Sequence, residues 1–98
     1  MLKSHKKLDN QIIKALTQVC EDAKPDSQGF EWLTHTVDYR RFPQSLQVTL
    51  VFNEQVSEAV MLAEFRDLIP QVQAALVPIV GATLPAKQIE ACREHRLQ

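Results

Sequence analysis

With 98 residues the chain has room for one domain, taken as residues 1–98, built around one modest core. A formal net charge of −1 removes any whole-molecule pull toward nucleic acid or membrane, and 45% apolar with 23% charged residues is an ordinary globular composition. Only Gly29 and Gly81 are glycines, which excludes the clustered glycines of a phosphate-cradling loop; GxGxxG, GxxxxGK(S/T) and GxSxG are all absent, and no cofactor or small-molecule substrate is inferred.

Residues 1–5 read as a disordered tail. No apolar core of an export signal follows Lys6-Lys7, so a cytoplasmic location is expected. From Lys6 to Ala23 the apolar residues Leu8, Ile12, Leu16, Val19, Cys20 and Ala23 recur at steps of three and four, which predicts an amphipathic helix. Asp9 suits its positive N-terminal end, and Pro25 stops it. Lys24 to Gly29 is a turn-rich linker.

All aromatic residues except Phe65 fall between Phe30 and Phe52, within the stretch that alternates like β-structure. Leu33, His35, Val37 and Tyr39 share one face of a first strand, and Trp32, Thr34 and Thr36 take the other. Leu46, Val48, Leu50 and Phe52 form the apolar face of a second strand. The connection from Arg40 to Ser45 is too long for a two-residue turn and is expected to protrude. These segments predict a two-stranded antiparallel ribbon, which sets the class as α+β.

After Ser57 the period returns to helix. Leu62, Phe65, Ile69, Val72, Leu76 and Ile79 form an apolar stripe, but Pro70 and Pro78 each delete a backbone donor at a cost of about 3 kcal/mol in a helix interior. The expectation is a helix pair broken near Pro70, ended by Gly81. The longest apolar run, Ala74 to Val80, is seven residues and contains Pro78, whereas a membrane span needs about twenty. Between Leu84 and Gln98 a short helix and an edge strand over Lys87 to Ala91 are both compatible with the pattern. The strand is favoured, because an isolated two-stranded ribbon is marginal in water.

Four kinds of chemistry can be written on this chain. Cys92-x-x-His95 has ligand-like spacing, but a structural zinc site usually needs a second close pair and none exists; no metal site is assigned. Cys92 beside His35 or His95 would make an activated thiolate and a small thiol-dependent enzyme. The sequence does not bring them together, His35 reads as a hydrogen-bonded structural histidine, and no catalytic residue is assigned. Nucleic-acid binding would use Lys3, Lys6, Lys7, Arg40 and Arg41, with Phe42 as an exposed stacking aromatic. A helix-turn-helix can be tried with Pro70–Val80 as first helix and Pro85–Arg96 as recognition helix, presenting Lys87, Gln88, Arg93 and Arg96; Pro78, Glu90 and Glu94 argue against it. Finally, an open ribbon edge and Trp32 suit a protein partner or self-association as a homodimer, with Trp32, His35, Arg40, Arg41 and Phe42 as the candidate surface.

The blocks Lys6-Lys7-Leu8-Asp9, Val19-Cys20-Glu21, Gly29 to His35, Val37-Asp38-Tyr39, Arg41 to Leu46, Val51-Phe52 and Glu90 to His95 give the chain a family likeness. It resembles a group of small proteobacterial proteins often labelled "Fis family transcriptional regulator". The resemblance implies a bacterial cytoplasmic protein and a DNA-binding regulator, and carries over no catalytic residues. The reading taken from the residues themselves is a non-catalytic interaction or regulatory domain acting through the ribbon and the Arg40–Ser45 loop.

Overall fold

The computed structural model describes the backbone from Leu2 to Glu94 and side chains from His5 to Glu94. Lys3, His95 and Arg96, which the sequence offered as a nucleic-acid contact, a metal ligand and a groove contact, lie outside the described side chains. In chain order the elements are α1 (Leu2–Ala23), β1 (Phe30–Thr36), β2 (Gln47–Phe52), α2 (Glu58–Val80) and β3 (Ile89–Arg93), with single 3-10 turns at Lys24–Asp26, Tyr39–Arg41 and Ala86–Gln88. The class is α+β.

The strands form one sheet in the order β1-β2-β3. β1 and β2 are antiparallel, as the ribbon required, while β3 runs parallel to β2 and is reached by the α2 crossover. The favoured C-terminal strand therefore exists and makes β2 central. Both helices cover one face, where Ile12, Leu16, Val19, Leu68, Val72 and Leu76 meet Phe30, Val48, Leu50, Phe52 and Ile89. The opposite face carries Trp32, Thr34, Thr36, Thr49, Glu90 and Cys92. Val51 is buried there between its register partners Trp32 and Cys92.

α1 uses the apolar positions expected of it: Ile12, Leu16, Val19 and Ala23 are buried, and Leu8 and Cys20 pack at the margin. Its end is closed by Ser27 Oγ donating to the Ala23 carbonyl at 2.8 Å, as Pro25 enters the 3-10 turn. The helix starts earlier than the periodicity suggested. Leu2 to His5 are helical rather than a tail, and the His5 ring stacks on Tyr39 with centroids 5.4 Å apart. Asp9 is thus two turns inside the helix and serves the sheet instead of the helix end.

α2 is the main departure from expectation. It is one unbroken helix with both prolines inside it. Leu68, Val72 and Leu76 are buried along one stripe, worth about 1.5–3 kcal/mol each, with Phe65, Ile69 and Ile79 partly buried beside them. A break at Pro70 would forfeit that stripe. Both prolines are exposed, as are Arg66 and Ala74 four residues before them, so the carbonyls they orphan can be met by water. Leu62, assigned to the stripe from its spacing, is instead 45% exposed. Ser57 Oγ caps the start by accepting from Val60 N–H at 3.1 Å, and Gly81 closes the end at φ 87°, a left-handed conformation suited to glycine.

The helix-turn-helix does not form. The segment offered as its recognition helix is a 3-10 turn followed by β3. Gln88 Nε2 donates to the Pro43 and Leu46 carbonyls at 3.0 and 2.7 Å, and Arg93 Nη1 donates to the Asn53 and Val56 carbonyls at 3.1 and 2.8 Å. Those two polar groups staple loops; they are not displayed to a groove.

Candidate functional site

The open edge of β1 is positioned by three devices. The first is a two-against-one bulge: Phe30 pairs with Phe52 and Trp32 with Val51, leaving Glu31 as the extra residue. The offset turns Phe30 into the core, where it meets Phe52 edge-on at 5.8 Å, while Leu33 and His35 keep facing the helices. The second is Glu64 of α2. Its carboxylate accepts from the N–H groups of Gln28 at 2.6 Å, Gly29 at 3.1 Å and Phe30 at 3.0 Å, clasping the start of β1 to the helix. Beside this clasp Gly29 packs closely on Val56: a β-carbon there would lie 2.7 Å from Val56 Cγ1.

The third device is Asp9. One carboxylate oxygen accepts from the Tyr39 hydroxyl at 2.5 Å and faces His35 Nε2 at 3.0 Å, tying α1 to the far end of β1 and to the following loop. These bonds, that from Tyr39 foremost, hold the Asp9 carboxyl below its ordinary value of 3.8. Burial and the adjacent carboxylate push the Tyr39 phenol well above its usual range. The ionised Asp9 is therefore a committed acceptor. The cluster holds geometry and keeps His35, whose side chain is 14% exposed, fixed against the helix.

What these devices leave is an unpaired edge. Asn53 N–H donates to the Gly29 carbonyl at 2.8 Å, so Phe30 and Phe52 are a pair that does not exchange bonds, and Phe30 N–H points away from β2 to Glu64. Past the bulge, the alternation gives Trp32, Thr34 and Thr36 to β2 and turns the N–H and C=O of Leu33 and His35 outward. Among the described residues no backbone partner meets those outward groups. Beside them runs a groove of about 510 Å³ between α1 and β1, whose walls include Ile13, Leu16, Cys20, Trp32 and Leu33. Ile13 and Trp32 are 47% and 45% exposed, so apolar side chains reach the rim of the groove, alongside exposed Thr17, Glu21 and Thr34.

The residues singled out from sequence separate into groups. Trp32 lies on the sheet face away from the helices and exposed, and His35 sits at the groove with its ring bonded inward. Arg40 and Arg41 are exposed on the loop after β1; Arg40 Nε lies 3.4 Å from Asp38 Oδ1, and Asp38 also accepts from Arg40 N–H, which lowers its pKa. Phe42 is not the exposed stacking aromatic expected. It is half-buried, tilted against Tyr39 at 6.0 Å and packed on the end of the core. The His5–Tyr39 stack brings the first turns of α1 to this loop, so exposed Lys6 and Lys7 share one end of the molecule with Arg40 and Arg41.

Cys92 and His35 do not meet. Cys92 is exposed on the outer sheet face at β3, and His35 faces inward on β1, with β2 between them. Among the described residues no group of three or more His, Cys, Asp or Glu is disposed to hold a metal ion, and no helix is long and apolar enough to cross a membrane.

Sequence reasoning missed Asp9, Ile13 and Glu64 as site-forming residues. Ile13 carried a signal: among the described residues of α1 it is the large apolar residue that interrupts the polar face. Asp9 and Glu64 carried none, since a solvated helix carboxylate and one reaching a distant strand look alike in sequence. Compared with protein-family models, curated proteins and solved structures, the chain matches none.

Proposed function

We propose that this chain is a non-catalytic interaction domain of the bacterial cytoplasm that takes up an extended protein strand along the free edge of β1. The observation that carries the reading is the coincidence of outward backbone groups at Leu33 and His35 with an apolar groove walled by α1. Main-chain hydrogen bonds supply affinity in such strand addition, and flanking pockets for alternate side chains supply selectivity. Trp32 at the rim is the residue type most enriched among interface anchors. The Arg40–Ser45 loop sits at the end of the strand, where it would select acidic flanking residues. The test is a selection of unstructured peptides followed by amide chemical-shift mapping. Bound peptides should move the Leu33 and His35 amides most; peptides that leave both amides unmoved would refute the edge as the site.

A second reading is favoured by the gathering of Lys6, Lys7, Arg40 and Arg41 at one end. It makes the chain a nucleic-acid-binding regulator, as the family likeness implies, without a helix-turn-helix. Filter binding should then weaken with added salt and with Arg40→Ala plus Arg41→Ala. Salt-insensitive or undetectable binding removes this reading.

A further inference from the structure

We infer that the strand received at the β1 edge is the β1 of a second copy of this chain, an inference that rests on the edge reading above. α1 runs antiparallel to β1: Asp9 near its start meets His35 near the end of β1, and Ala23 at its end is bonded to Ser27, just before β1 begins. The flank of α1 that walls the groove contains Ile13, Thr17 and Glu21. Continued toward the N-terminus at helical spacing, the same flank presents Asn10 and Lys6.

Read along the helix, that flank is Lys6, Asn10, Ile13, Thr17, Glu21: basic at one end, acidic at the other, apolar at the centre. Such a flank is complementary to itself when inverted. A two-fold axis through Ile13 sets Ile13 against Ile13, Asn10 against Thr17 and Lys6 against Glu21 of the second copy. Among the described residues neither Lys6 nor Glu21 has an ion-pair partner within the chain.

The strand obeys the same symmetry. An axis through Thr34 pairs Leu33 with His35 of the second copy and the reverse, satisfying the outward N–H and C=O groups of both residues in each copy. The same register sets Trp32 across from Thr36 of the second copy, an aromatic against a β-branched residue on the outer face. The product is one continuous six-stranded sheet with the two α1 helices side by side beneath it. It is isologous and closed, so it stops at a dimer. A net charge near zero opposes such association little.

The test is sedimentation equilibrium on the full chain over a concentration series, with far-UV circular dichroism confirming the fold of each variant. The wild type should move to twice the chain mass as concentration rises. Thr34→Lys, exposed in the monomer, places two ammonium groups face to face at the axis and should abolish the dimer. Lys6→Glu and Glu21→Lys should each weaken it by roughly tenfold or more, since each charge occurs twice in the interface, and the double reversal should restore it. A chain monomeric at every concentration overturns the inference. So does a dimer indifferent to Thr34→Lys, or a double reversal no better than the single changes. If the chain is monomeric yet selected peptides still move the Leu33 and His35 amides, only the identity of the occupant falls; if those amides never move, the edge reading falls with it.

Discussion

Removing the Glu64 carboxylate should unfasten β1 from α2, and its cost can be worked from the bonds it makes. Three backbone N–H groups end on its two oxygens. Gln28 is exposed, so water replaces its bond cheaply. Gly29 and Phe30 are buried, and their N–H groups would lose their acceptor in a region closed by Val56 and Phe52. A buried donor left unsatisfied costs about 1–3 kcal/mol; the Gly29 and Phe30 bonds are only part-buried, so about 1–2 kcal/mol applies to each and Glu64→Ala is expected to cost about 2–4 kcal/mol for the two. That lowers the folded-to-unfolded ratio by roughly thirty- to a thousandfold. Glu64→Gln keeps one acceptor oxygen and the reach of the side chain, and should fall about midway. The assay is urea unfolding with linear extrapolation, in which the midpoint should drop while the slope stays constant. If Glu64→Ala lies within about 0.5 kcal/mol of wild type, the range of an ordinary surface substitution, the clasp does not hold the strand.

Other expectations follow from named contacts. Because Asp9 is held below its ordinary value of 3.8 by Tyr39 and His35, its contribution is complete above that value and drains away as pH falls through the lower native one. Stability of the wild type should therefore decline from about pH 5 downward, and Asp9→Asn should be less stable at neutral pH with a flatter acid limb; an unchanged acid limb would remove Asp9 from the account. Gly29→Ala should destabilise because its β-carbon meets Val56, and adding Val56→Ala should recover part of the loss in thermal melts; additive losses would contradict a shared contact. Ser57→Ala removes the hydroxyl that caps α2 and should cost about 1 kcal/mol by urea titration, with Ser57→Asp close to wild type.

The sequence made some of this fold legible for physical reasons that differ by element. Leu46 just before β2, and Val48, Leu50 and Phe52 within it, could be read directly because they face the helices; Val51, buried on the other face between Trp32 and Cys92, breaks the alternation. α1 was legible through its apolar stripe, but its first turn was not, because Leu2 to His5 are held in part by the stack of His5 on Tyr39, a contact distant in sequence. The continuity of α2 was hidden because proline penalties are local and the burial that outweighs them is not. The side-chain faces of β1 were assigned correctly from Leu33 to Thr36. Phe30 joined them only through the bulge at Glu31, which leaves no mark in an alternating pattern.

At the candidate site, Trp32, His35, Arg40 and Arg41 were visible as residue types suited to recognition. That Phe42 packs inward while Lys6 and Lys7 lie toward the same end as the arginines depends on where the loop folds back, which composition does not encode. The parallel pairing of β3 was equally out of reach, since it depends on the helix between β2 and β3 returning the chain across the sheet.

The placement of β3 also has a consequence for synthesis. β2, the most apolar strand, is central only once residues 89–93 have arrived, some forty residues after it is made. Before that segment docks, the chain carries β2 as a bare border that can pair with a neighbour. The finished molecule shields this strand, so a chain cut before Ile89 would expose β2 as a pairing edge and should aggregate more readily than the whole.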